Sequence, residues 1–286
     1  MSAGRTSAAE PARRIWLCAD DYGISPAVSA AIRDLAERGR LNATSVMVVA
    51  PSFSAEEAAA LRSLKDNGAP IAIGLHLTLT GPFRPLTSGF RPLRSGAFLP
   101  LGETLLRALA RRLDTGAIAA ESAAQIAAFE AAFGRPPDFV DGHQHVQVFP
   151  QFRDAVLGQV KALAPGAWLR QCGRTGPLAG RFADRKGLLL DLLSPTFRRR
   201  AHALGLRTNP AFAGTYDFRA RTAFADRFAA FLAGLPDGSV VMCHPGRVDP
   251  ELQRLDPLTD AREEEYAYFS GDEFPRTLTA QRVALA

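Results

Sequence analysis

The chain has 286 residues, of which 47% are hydrophobic and 22% charged, with 34 Lys and Arg against 29 Asp and Glu. That balance excludes a disordered chain, no run approaches the roughly 18 apolar residues of a membrane span, and the length suits a single α/β barrel. The basic excess is dispersed apart from Arg198-Arg199-Arg200 and lacks interleaved aromatics, which argues for a solvated helix face and against a nucleic-acid partner.

Met1 to Arg14 is polar and small, without the apolar core of a secretory signal, and reads as a flexible lead to one domain over residues 15–286 of a cytoplasmic protein. Ile15 to Ala19 is an apolar strand that runs into Asp20-Asp21-Tyr22-Gly23. Ser25-Pro26 then opens a helix with apolar residues at Val28, Ile32 and Leu35, closed by Gly39. Thr44 to Ala50 is a second strand, Ser54 caps a helix that runs to about Lys65, and Ile71 to Thr80 is a third strand. This β-α-β-α-β order with apolar strands predicts a parallel sheet covered by helices.

Gly81 to Pro100 breaks the rhythm with four prolines and with Phe83, Phe90 and Phe98, and reads as a packed lid or substrate wall. Ala108 to Phe133 predicts one or two helices ending at Gly134, and Phe139 to Val148 predicts a strand. A helix from Gln151 to Leu163 and a short strand from Ala167 to Gln171 follow. The segment from Gly173 to Thr208 supports only a helix. Ala223 to Leu235 is a helix, Ser239 to Cys243 a strand, and Ala261 to Phe269 a short helix. Cys18, Cys172 and Cys243 are far apart and odd in number; neither a disulfide framework nor a zinc knuckle is expected.

Chemistry concentrates at the strand ends. Two adjacent carboxylates repel, and a divalent cation would let Asp21 and Asp20 divide the work, although an Asp-Asp-Tyr-Gly turn explains the same residues. Alternation places Gly74, His76 and Thr78 on the inner face of their strand, where His76 reaches the mouth of a barrel or is a satisfied core histidine. Period two also puts Asp141, His143 and His145 on one face, a moderately specific metal signal against the alternative of a hydrogen-bonded polar strand. His244 ends a strand before Pro245-Gly246, placed as a general acid or as a turn cap. Parallel α/β folds build their sites at the carboxyl ends of strands, so spacing alone reaches a mononuclear metal hydrolase.

These motifs resemble those of the YdjC-like carbohydrate deacetylases, in the family's order: Ala19-Asp20-Asp21-Tyr22-Gly23-Ile24-Ser25, Ile73-Gly74-Leu75-His76-Leu77-Thr78, Asp141-Gly142-His143-Gln144-His145-Val146, and Met242-Cys243-His244-Pro245. The resemblance implies an irregular TIM-like (β/α) barrel that removes an N-acetyl group from an amino sugar of an oligosaccharide or glycolipid head group. It implies Asp21, His76 and His143 as ligands of one divalent ion, Mg²⁺ or Zn²⁺, with Asp20 as base and His244 as acid. Asp141, His145, Arg170 and Phe83 are second-rank candidates that support these groups or meet substrate, Arg170 by orienting Asp20. Tyr22 stands where Phe is usual and Gln147 where a His is often found. The oligomeric state stays open, a homodimer included. The rivals are an amidohydrolase, disfavoured by the absence of an H-x-H on the first strand, a phosphoesterase, disfavoured by the absence of a D-x-D nucleophile pattern, and a sugar-binding relative without catalysis.

Overall fold

Ten consecutive residues of strand β1 (Arg13–Tyr22) form the axis of the molecule in a computed structural model that describes residues 12–175, 184–216 and 222–286. From Ile15 to Ala19 the side chains are almost all apolar, because neighbours flank the strand on both edges. One edge pairs with β2 (Ala43–Val46) and the other with β7 (Ser239–Cys243), while its first residues pair with β8 (Val283–Leu285). Beyond β2 lie β3 (Ala72–Leu77), β4 (Phe139–Gly142) and β5 (Trp168–Leu169); beyond β7 lies β6 (Phe212–Ala213). Every pairing between these strands is parallel.

β5 and β6 are too short to pair as a ladder. The gap between them is bridged by Leu169 N–H to Arg207 O at 2.9 Å, by Phe212 N–H to Gly173 O at 3.1 Å, and by the Asn209 carboxamide, which accepts from Gln171 N at 2.8 Å. The sheet therefore curls into the irregular barrel expected from the sequence.

The helices outside it follow their caps. In α1 (Pro26–Glu37) Ser25 accepts from Val28 N, and in α2 (Ala55–Asp66) Ser54 accepts from Glu57 N. The helix α3 (Leu101–Leu109) lies almost wholly before the alanine-rich segment expected from Ala108 to Phe133 and was not expected, while that segment holds α4 (Thr115–Phe133), capped by Asp114 and stopped at Gly134 with φ 68°. Then come α5 (Phe152–Leu163), α6 (Arg185–Ala203), α7 (Phe224–Leu232), α8 (Pro250–Leu255), α9 (Asp260–Ser270) and α10 (Glu273–Ala280). Among the described residues no helix is long and apolar enough to cross a membrane.

Three expectations change. Arg13 and Arg14, expected in the flexible lead, already belong to β1: the Arg13 guanidinium donates to Leu232 O, Leu235 O and Gln281 O, and Arg14 N–H to Asp237. Residues 1–11 of that lead, and residues 176–183 of the unreadable segment, lie outside the described residues.

The strand expected from Phe139 to Val148 stops at Gly142 and turns into a 3-10 segment, His143–Val148, in which Gln144 (φ 54°) and His145 (φ 62°) are left-handed. Gly142 permits this close return, since a Cβ there would sit 2.5 Å from Gln147 Oε1. The period-two face shared by Asp141, His143 and His145 therefore does not exist.

The segment 81–100 is packed, with Phe83, Phe90 and Phe98 all buried, and the buried Glu121 carboxylate of α4 accepts from Leu86 N, Thr87 N and Thr87 Oγ1 at 2.8–2.9 Å.

Candidate metal centre

The carboxyl end of β1 carries the first two groups, and a break in strand geometry separates them. The β1–β2 register shifts between Ala19 and Tyr22, and Asp21 has φ 67°, a left-handed conformation that Asp tolerates better than most residues. The adjacent carboxylates consequently have different neighbours. Asp20 accepts from Arg170 Nη2 at 2.9 and 3.0 Å and lies 3.4 Å from Ser45 Oγ. Asp21 turns its Oδ1 to His76 Nε2 and to His143 Nδ1, both at 3.2 Å, and its Oδ2 to Arg262 Nη2 at 2.5 Å.

His76 comes from β3, where the neighbouring Gly74 leaves room for the Phe139 ring: a Cβ on it would lie 2.5 Å away. The His76 Nδ1 edge faces Asp141 Oδ1 at 2.6 Å and Ser45 Oγ at 3.0 Å. With its Nδ1–H donated to that carboxylate, a neutral His76 presents its Nε2 lone pair to Asp21 Oδ1. A lone pair and an anionic oxygen 3.2 Å apart repel unless a cation lies beside both. His143, at the start of the turn, rests against the edge of Phe83, with ring centroids 5.6 Å apart. One donor atom each from Asp21, His76 and His143 lies within 4.8 Å of the others, and this imidazole and carboxylate set suits Zn²⁺ and related divalent ions.

Charge makes the same point. Arg170 and Arg262 are fully buried, and each spans two carboxylates: Arg170 joins Asp20 to Asp141, and Arg262 joins Asp21 to Asp256, 2.6 Å from its Nη2. Four carboxylates against two guanidiniums, with the Lys186 ammonium also lining the cavity, leave an excess of negative charge that a bound cation would offset. The residues present fit such an ion. Burial alone would raise both aspartate pKa values. Arg170, helped by His76, outweighs it for Asp20, and Arg262, helped by the two histidines, holds Asp21 well below the usual carboxylate range.

His244 closes β7 and faces the same cavity of about 410 Å³ as Asp20, Asp21, His76 and His143. Its backbone N–H donates to Glu265 Oε2 at 2.5 Å, and the other oxygen of Glu265 accepts from Tyr216 Oη at 2.7 Å. Burial pushes the His244 imidazole down to about 4 against the opposing pull of Asp21 and Asp20, and pushes the Glu265 carboxyl up to about 7. His145 also borders the cavity, but its Nδ1 lies 3.6 Å from Cys172 Sγ and its ring lies against Phe212, apart from the Asp21 cluster. Gln147 donates to Arg170 O at 3.0 Å, tying the turn to the end of β5. The Tyr22 hydroxyl donates to Glu57 Oε2 at 2.7 Å and accepts from Arg33 at 2.8 Å. Phe83 meets His143 and does not border the cavity.

Sequence reasoning missed Arg262, Glu265 and Asp256. A signal for two of them exists. The buried stripe of α9 runs through Ala261, Arg262, Glu265, Tyr268 and Phe269, so two charged residues occupy positions at which helical spacing asks for apolar ones.

A chitooligosaccharide deacetylase of Serratia marcescens is 31% identical over 255 residues, covering 84% of this chain and 88% of the relative. One from Yersinia enterocolitica is 29% identical over 260 residues, with the same coverage of 84% and 88%. A solved structure described as a putative cellobiose-phosphate cleavage protein, from Enterococcus faecalis V583, shares the fold with a TM-score of 0.75 at 20% identity, over 96% of this chain and 97% of that one. The family profile described as YdjC-like protein matches residues 14–280, and the chain belongs to that family.

Proposed function

We propose that this protein is a metal-dependent carbohydrate N-deacetylase that hydrolyses the acetamide of an amino sugar in an oligosaccharide or glycolipid head group. The observation that carries the reading is the convergence of Asp20, Asp21, His76, His143 and His244 on one cavity, from four separate strand ends. The names of the Serratia and Yersinia relatives supply the substrate class. The cavity, about 410 Å³, lies within the usual range for small-ligand sites.

Asp21, His76 and His143 would hold the ion, Zn²⁺ or Mg²⁺. Bound there, it supplies a Lewis acid that acidifies water and polarises a carbonyl oxygen. Asp141 fixes the tautomer of His76 through the 2.6 Å contact to Nδ1. Asp20, oriented by Arg170 and kept ionised, accepts the proton of the attacking water. His244 is unprotonated at rest, so the proton that Asp20 takes from water can be passed through it to the departing nitrogen, which leaves poorly as an anion. Glu265 holds the backbone of His244 and thereby the place of the ring.

The test is acetate release from N-acetylated glucosamine oligomers by metal-free protein resupplied with Zn²⁺, Mg²⁺, Mn²⁺ or Co²⁺. Turnover restored by an added ion and abolished by chelation is expected. Release that persists in full after chelation, or turnover only on phosphate esters, would remove the reading.

A further inference from the structure

Asp21 has two oxygens, and only one of them is free to meet an ion. Its Oδ2 is engaged by Arg262 Nη2 at 2.5 Å, while Oδ1 lies between His76 Nε2 and His143 Nδ1. Arg262 itself is immobilised. It is fully buried, its Nη2 is also 2.6 Å from Asp256 Oδ2, and its Nε donates to Leu258 O at 3.1 Å. Its backbone carbonyl accepts from Gly246 N at 3.0 Å, so α9 is fixed to the turn after His244 as well.

A carboxylate that offers one oxygen and one that offers two select different ions. Large oxygen-seeking ions with six or more ligands can take both oxygens of a carboxylate, whereas an ion content with four donors needs one. We propose that Arg262 is a positioning residue that restricts Asp21 to a single ligand oxygen and so sets which divalent ion the centre prefers. The inference rests on the metal-dependent reading above.

Removing Arg262 also removes a positive charge, but that change acts alike on every divalent ion. The ratio of two ion affinities therefore isolates the freed oxygen. The experiment is equilibrium titration of metal-free wild type, Arg262→Met and Arg262→Lys with Zn²⁺ and with Mn²⁺, each variant checked for folding by its thermal transition. Arg262→Met is expected to lower the preference for Zn²⁺ over Mn²⁺ about tenfold. Arg262→Lys, whose ammonium sits one bond short of the Nη2 that holds both Asp21 and Asp256 and which loses the Nε bond to Leu258 O, lowers it about threefold and decides the matter if the Met variant does not fold. A wild-type ratio in the folded variants, or both affinities falling in parallel as for a purely structural residue, overturns the inference. A wild type that binds neither ion overturns the metal-dependent reading and this inference with it, so the two failures are distinct.

Discussion

The site has two sides that use the same pair of residue types differently. On the strand side, Arg170 at the end of β5 joins Asp20 of β1 to Asp141 of β4, and Asp141 in turn holds His76 of β3. On the helix side, Arg262 of α9 joins Asp21 to Asp256, and Glu265 one turn later holds the backbone of His244. The strand side presents proposed reacting groups directly, since Asp20 and His76 both border the cavity. The helix side supplies restraint: neither Arg262 nor Glu265 borders it, and both act on residues that do. Buried charges need a partner in either case. The difference teaches that the barrel strands position donors, while a helix packed beside them fixes which atom of each donor stays free.

The sharpest test of this division compares the two adjacent aspartates, one clamped by each arginine. Asp21→Asn is expected to weaken divalent-ion affinity by about 100-fold or more, measured by titration of metal-free protein. Asp20→Asn is expected to retain the ion and lower kcat by about 10²–10⁴-fold, measured as acetate release at saturating ion. If both variants bind the ion and turn over as wild type does, Asp20-Asp21 is only a turn.

A smaller effect separates the arginines. Arg170→Met leaves Asp20 and Asp141 buried without their cation and is expected to destabilise the fold by about 3–5 kcal/mol, read by urea unfolding. Its Zn²⁺ to Mn²⁺ affinity ratio is expected to stay that of wild type, because Asp21 Oδ2 keeps Arg262. A ratio that moves in Arg170→Met and not in Arg262→Met would reverse the assignment of the two sides.

The strand side was legible in the sequence and the helix side was not, for a physical reason. A strand end delivers its last residues to a fixed rim, so Asp20, Asp21, His76 and His244 could be brought together from the order of elements alone. His143 was found for a wrong reason: it reaches Asp21 not by strand alternation but because Gln144 and His145 turn the chain back in left-handed geometry. Nothing in Gln144-His145 marks that conformation, as Gly would. Arg262 and Glu265 sit in the run Asp260-Ala261-Arg262-Glu263-Glu264-Glu265, where charge reads as a solvated face. Only the burial of positions 261, 262, 265, 268 and 269 on one stripe reveals that two of these charges point inward. β6, β8, α8 and α10 escaped notice because two to eight residues carry too little periodicity to register.

The smallest effect probes the helix side through its own acid. Glu265 is fully buried, and burial raises its carboxyl to about 7 from an ordinary 4.5, although Tyr216, the His244 N–H and Arg262 all pull the other way. Between those two values the folded chain holds a proton that the unfolded chain has lost. Stability from this group is therefore present below about 4.5 and declines as pH rises towards about 7, by on the order of 3 kcal/mol in all. Glu265→Gln cannot ionise and escapes that decline. Urea unfolding of the metal-free proteins at pH 5 and pH 8 is expected to show the variant gaining up to about 3 kcal/mol on wild type across the interval. Parallel behaviour at the two pH values would mean that Glu265 ionises as an ordinary surface carboxylate does, and that the helix side holds His244 with a permanent charge rather than with a carboxyl whose charge burial opposes.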